Sequence, residues 1–172
     1  MSTTFSISYV ASALIYGGTS LDSLASSSTW IAGRASALID NTTTKYVDAY
    51  LTGKFKANAS APTAGVIQVW VAGLLDDTPT YPDTYAGADA AMTWTNADIR
   101  NAAARQAASI VTTTGSNVVY PFAPVSVASL FGGVMPKKWW TWVTHSMVTA
   151  FNATASAGGQ LYYVGVNYGT TP

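Results

Sequence analysis

Tyr46-Val47-Asp48-Ala49-Tyr50-Leu51-Thr52-Gly53-Lys54-Phe55-Lys56-Ala57 carries the pattern that decides the fold. Val47, Ala49, Leu51 and Phe55 fall on one side of an extended chain, and Asp48, Thr52, Lys54 and Lys56 on the other. Successive side chains of a strand point to opposite faces, so the stretch predicts a strand with one buried and one wet face. After the turn Ala61-Pro62-Thr63-Ala64-Gly65, Ile67, Val69 and Val71 alternate with Gln68 and Trp70. The two runs are expected to form a hairpin-like pair.

Further strands are expected at Arg105–Thr112, Val118–Tyr120, Ser126–Phe131, Trp139–Ser146 and Gln160–Tyr168, punctuated by Gly132-Gly133, Pro136 and the Ala155–Gly159 loop. One short helix is expected to open at Asn96-Ala97-Asp98-Ile99-Arg100, with Thr95 or Asn96 as its cap. The sum is an all-β fold, an antiparallel β-sandwich of jelly-roll type with about eight strands and at most one short helix. Residues 29–172 form that single domain. Residues 1–28 read as an extended N-terminal arm or a loosely attached strand, because Gly17-Gly18-Thr19-Ser20 and Ser26-Ser27-Ser28 have the composition of turns or linkers.

Composition supports strands and excludes several function classes. All eight acidic residues are Asp, so the good helix former Glu is missing while Thr, Ser and Gly abound. Charged residues are 9% of the chain, with eight Lys and Arg balancing the eight Asp. No cationic cluster is present to neutralise phosphates, so nucleic acid is not an expected partner. Near-zero net charge removes the repulsion that keeps proteins apart, and favours self-association or docking on a larger surface. Without cysteine there are no disulfides, thiolate metal sites or cysteine nucleophiles. No apolar run approaches the ~20 residues of a bilayer span, and neither export nor membrane insertion is expected. The sequons at Asn41, Asn58 and Asn152 therefore read as polar turns.

Little points to catalysis, and the chain is expected not to be an enzyme. His145 is the single histidine; it alternates with Trp139, Thr141 and Val143 along a strand and reads as structural, and there is no G-x-S-x-G elbow. The Asp76–Ala91 loop holds Asp76, Asp77, Asp83 and Asp89, which read first as turn formers, ahead of calcium ligands or a glycosidase pair. Phosphate-binding loops, dinucleotide fingerprints and zinc spacings are absent, and no cofactor or metal is expected. The aromatic residues are the strongest signal. Trp139 and Trp140 are consecutive in a strand and face opposite sides, so one is expected in the core and the other outside or in an interface. The candidate partner contacts are Trp139, Trp140, Trp142, Lys137, Lys138, Tyr81, Asp83 and Tyr85, with stacking on a glycan as the alternative use.

A resemblance adds to this reading. It is carried by Asp40-Asn41-Thr42 with Tyr46 and Asp48, Gly53-Lys54, Pro62-Thr63-Ala64-Gly65 leading to Val69-Trp70-Val71, Asp77-Thr78-Pro79-Thr80-Tyr81-Pro82-Asp83, the long run from Tyr120 to Val134, and Val143-Thr144-His145. From about residue 29 to its end the chain resembles a family of small β-rich proteins encoded among the virion structural genes of tailed bacteriophages and prophages. The resemblance implies a capsid decoration or cement protein of jelly-roll type, assembled in the bacterial cytoplasm and located in the virion. Its implied partners are the major capsid protein or another virion protein and further copies of itself. A receptor- or glycan-binding module of a fibre, tail or capsid surface is the second expectation.

Overall fold

The computed structural model describes residues 4–60, 62–76, 78, 80–153 and 160–171. All strand pairings in it are antiparallel. Sheet I has five strands: β1 (Thr4–Tyr9), β11 (Gln160–Thr171), β5 (Asp48–Lys56) and β9 (Val119–Ser126) in that order, with β2 (Ala13–Leu14) also on β11. Sheet II has six: β7 (Ala90–Thr93), β3 (Ala32–Ala35), β10 (Lys138–His145), β6 (Val66–Leu74) and β8 (Ala104–Val111), with β4 (Ile39–Asp40) also on β10. The all-β expectation holds.

The alternation read in the sequence fills the space between the sheets. Leu51, Phe55 and Leu161 of sheet I meet Ile67, Val69, Val71, Trp139 and Val143 of sheet II in one cluster, each at most 1% exposed. Burying each such side chain contributes about 1.5–3 kcal/mol. This corrects the hairpin expectation. β5 pairs with β11 and β9, whereas β6 pairs with β10 and β8, so consecutive strands lie in different sheets and face each other across the core. Two half-buried strands satisfy their apolar faces equally well side by side or face to face, and alternation alone does not distinguish these.

Among the described residues three helices form rather than one. α2 (Ala97–Ala103) is the expected helix, with Asn96 accepting from the Ile99 N–H as its cap. α1 (Asn41–Thr44) and α3 (Val127–Leu130) are single turns, capped by Asp40 on Thr42 N–H and by Ser126 on Ser129 N–H. The expected strand at Ser126–Phe131 is therefore mostly helical turn. The preceding strand runs through Pro121 and Pro124 instead, which β9 tolerates because it lies at the edge of sheet I. Among the described residues no helix is long and apolar enough to cross a membrane.

Described from Thr4 onward, the N-terminal segment contributes an edge strand and core side chains to the domain. β1 pairs with β11 from Thr4↔Thr171 to Tyr9↔Val166, and Ile15, Tyr16 and Leu21 are buried in the core. The Tyr16 hydroxyl donates to carbonyl oxygens of Arg34 and Thr141 and accepts from Thr141 Oγ1, and burial pushes its pKa far up.

His145 closes the same core. Its Nε2–H donates to the Leu24 carbonyl at 2.8 Å, its ring stacks on Phe151 at 4.2 Å, and Nδ1 is buried with no partner among the described residues. Burial pushes its pKa below that of a free imidazole, the Leu24 hydrogen bond opposing only in part. The folded state thus favours the neutral ring, while the unfolded chain takes up a proton near pH 6.5. Stability from this group is complete above about pH 6.5 and falls as pH drops below it, by at most about 1.4 kcal/mol per pH unit. Urea midpoints measured from pH 8 to 5 are expected to be flat and then to decline. His145→Phe should remove the decline between pH 6.5 and 5, and an unchanged slope in that variant refutes the assignment.

Candidate interaction site

β10 presents Trp139 inward, edge-on to Tyr163 at 5.3 Å, and Trp140 and Trp142 on the opposite face, as strand alternation requires. That opposite face is not open. The β6–β7 connection and the residue after β7 cover it: Tyr85 of the connection stacks on Trp140 at 4.1 Å with 6° between planes, and Trp94, just beyond β7, meets Trp142 edge-on at 6.2 Å. The Arg100 guanidinium lies 4.3 Å over Trp70 and donates to Trp30 O and Asn101 Oδ1. A second core results, and Trp139, Trp140 and Trp142 are all at most 1% exposed. The expectation that one of these tryptophans faces a partner is therefore corrected: Tyr85 of the β6–β7 loop and Trp94 beyond β7 occupy the outer face of Trp140 and Trp142. Tyr85 belongs to the same layer, its hydroxyl donating to Ser36 O at 3.0 Å, and burial pushes its pKa up.

The loop's carboxylates anchor it. Asp83, at φ +54°, accepts from Thr95 N–H at 2.5 Å and Thr95 Oγ1 at 2.6 Å. Asp89 accepts from Arg34 Nε at 2.6 Å, Ser20 Oγ at 2.5 Å and Gly17 N–H at 2.9 Å, tying the N-terminal segment to β7. Asp77 lies outside the described residues. Among those described, no group of three or more acidic or histidine side chains gathers as a metal site would need. Lys138 reaches Asp40 at 3.9 Å, and hydrogen bonds from Thr42 hold the Asp40 carboxyl below the usual carboxylate range. Lys137 is exposed, and its carbonyl accepts from Asn41 N–H.

Of the candidate contacts, Tyr81 reaches an open apolar site. It packs against Tyr85 at 5.0 Å, so Tyr81, Tyr85 and Trp140 form a column of rings from the second core to the rim of a groove of about 990 Å³. The end of β6 supplies Leu74 and Leu75, the loop supplies Pro82, and the segment after α3 supplies Phe131, Val134 and Pro136. Gly73 makes the floor possible: a Cβ there would lie 2.7 Å from Pro136 and 3.0 Å from Phe131. Gly132 and Gly133, at φ +74° and +90°, turn the chain so that Val134 comes to the mouth. Arg105 is the charged lining residue, and it donates to the Asn101, Ala102 and Ala104 carbonyls at the end of α2. Leu75 and Val134 are 70% and 68% exposed at the rim. These two were missed in the sequence, although apolar residues beside a strand end and a Gly-Gly turn were a usable signal.

A second uncovered surface is the outer face of sheet I. Ile7 and Tyr168 are cross-strand partners there, exposed by 60% and 67%, and Tyr9 lies 6.5 Å from Tyr50. Among the described residues no loop covers this face as the β6–β7 loop covers sheet II. Compared with protein families, with curated proteins and with solved structures, the chain finds no match.

Proposed function

We propose that the chain is a structural protein of a tailed-bacteriophage particle, a decoration or cement subunit that docks on the major capsid protein and ties neighbours together. The strand order supports the jelly-roll reading. Numbering only β1, β3, β5, β6, β8, β9, β10 and β11 in turn as 1 to 8, the sheets read 1-8-3-6 and 2-7-4-5, the order of two Greek keys rolled together, with β7 added outside β3. Viral shell domains are one common use of that roll.

The observation that carries the reading is the apolar groove between Leu75 and Val134. Exposed aliphatic side chains flanking an apolar groove mark a contact surface. A subunit that binds only the assembled shell stabilises it by mass action, and many copies on one lattice add to the effect. Particles stripped of the protein are expected to break at lower temperature than intact ones, and re-addition should restore them. The Leu75→Asp, Val134→Asp double variant should melt as the wild type does, since both sites are exposed, yet bind stripped particles at least tenfold more weakly, about 1.4 kcal/mol. Equal breakage of stripped and intact particles sinks the cement role. Undiminished binding by the double variant removes the groove from it.

The alternative, a receptor- or glycan-binding module, is favoured by Tyr9, Tyr50 and Tyr168, whose exposed rings can stack on sugars. Glycan binding lost on substituting these tyrosines, with few copies per particle, supports that reading. A copy number matching the capsid protein supports the first.

A further inference from the structure

The edges of the two sheets are not treated alike. β9, at one edge of sheet I, carries Pro121 and Pro124, which lack N–H donors. In sheet II, β7 is only four residues long, and β8 carries Arg105 and a register shift opposite Val69/Trp70. Prolines, shortness, charge and bulges are the devices by which proteins keep strand edges from pairing with other chains. β1 has none of them. It is six residues, Thr4-Phe5-Ser6-Ile7-Ser8-Tyr9, without charge, proline or bulge, and no described strand pairs with its outer side.

The hydrogen-bond phase says which groups that edge offers. Val10 N–H donates to Gly165 O at 3.0 Å, continuing a ladder in which Tyr9 faces Val166 and Ser8 faces Asn167. Bonded and non-bonded positions alternate in an antiparallel pair, so Ser8 and Ser6 bond to β11, while the N–H and C=O of Phe5, Ile7 and Tyr9 point away from it. What fits this edge is another extended strand.

We infer that the occupant is β1 of a second copy, paired antiparallel about a two-fold axis at Ile7. In this register Ile7 faces Ile7 of the copy, and Tyr9 faces position 5. The same three residues supply donors and acceptors on both sides, so the edge is complementary to itself, as a two-fold interface requires. The zero net charge adds no repulsion between copies. Sheet I then runs continuously through both copies, and the exposed Ile7, Tyr9 and Tyr168 patches join into one surface. The pairing concerns copies of this chain alone and stands whether or not the particle reading holds.

The test uses the full chain in solution. Sedimentation should show a concentration-dependent dimer, and the Ile7 and Tyr9 amides should be protected from hydrogen exchange at dimer concentrations. Ile7→Pro removes a donor that faces outward and leaves the Ser6 and Ser8 bonds to β11 in place. It should weaken dimerisation by at least about tenfold. Ile7→Lys and Ile7→Asp should each dimerise less than the wild type, whereas their mixture should form a heterodimer, because position 7 faces itself. A wild-type chain that stays monomeric with fast-exchanging Ile7 and Tyr9 amides overturns the proposal. So does an Ile7→Pro variant, melting as the wild type does, that dimerises as tightly.

Discussion

Trp140→Ala is expected to destabilise the fold by about 3–5 kcal/mol, the range for truncating a fully buried large aromatic. Trp140 has no exposed surface and lies flat against Tyr85 at 4.1 Å. Truncation leaves a void between sheet II and its covering loop, and Tyr85 loses the ring it rests on. The loop is held beyond this layer by Asp83 to Thr95 and by Asp89 to Arg34, so it should loosen at its centre while its ends stay attached. Urea unfolding followed by near-ultraviolet circular dichroism reads both effects. Trp140→Phe keeps a ring beneath Tyr85 and should cost roughly half as much. A Trp140→Ala midpoint within about 1 kcal/mol of the wild type would mean that the loop is a loose flap and no second core exists.

Gly33→Ala should cost about 1–3 kcal/mol or more through overpacking, although it adds a single methyl group. The new Cβ would press into the Val143 carbonyl oxygen and lie 2.8 Å from two carbons of the Trp142 indole. Neither can withdraw. The carbonyl belongs to the β3–β10 ladder, where Val143 faces Arg34, and the indole is wedged against Trp94 with its N–H directed to Met92 O. Gly18→Ala is the matched control, because nothing lies within 4 Å of its would-be Cβ. The two variants should differ in melting temperature by several degrees, and a pair that melts together refutes the packing described around Trp142.

The parts of the fold legible in sequence are those where one face is apolar and the other polar. Leu51 and Phe55 against Lys54 and Lys56 gave β5, and Ile67, Val69 and Val71 gave β6. β3 and β7 read Ala-Gly-Arg-Ala and Ala-Ala-Met-Thr, too short and too small in side chain to alternate, and they went unseen. Partnering was less legible still, because a strand's pattern states how many faces it buries and not what buries them. Trp140 and Trp142 show this. Their placement opposite Trp139 followed from parity, but their cover comes from Tyr85, on a segment whose prolines and aspartates suggested only a loop, and from Met92 and Trp94, in and just after the unread β7. Of the contact residues read from sequence, Tyr81 reaches the groove, while Leu75 and Val134 emerge only once the ends of β6 and α3 are brought together.

Sheet I also sets a timetable. β11 lies between β1 and β5, and Thr4 of the first strand pairs with Thr171 of the last. On the ribosome β1 emerges before the strand it bonds to, and β11 emerges after every other described strand. Sheet II can form its ladders when β10 appears, but sheet I has a gap at its middle until β11 arrives. Such distant pairings fold slowly, and they leave the uncharged first strand without its neighbour for most of synthesis.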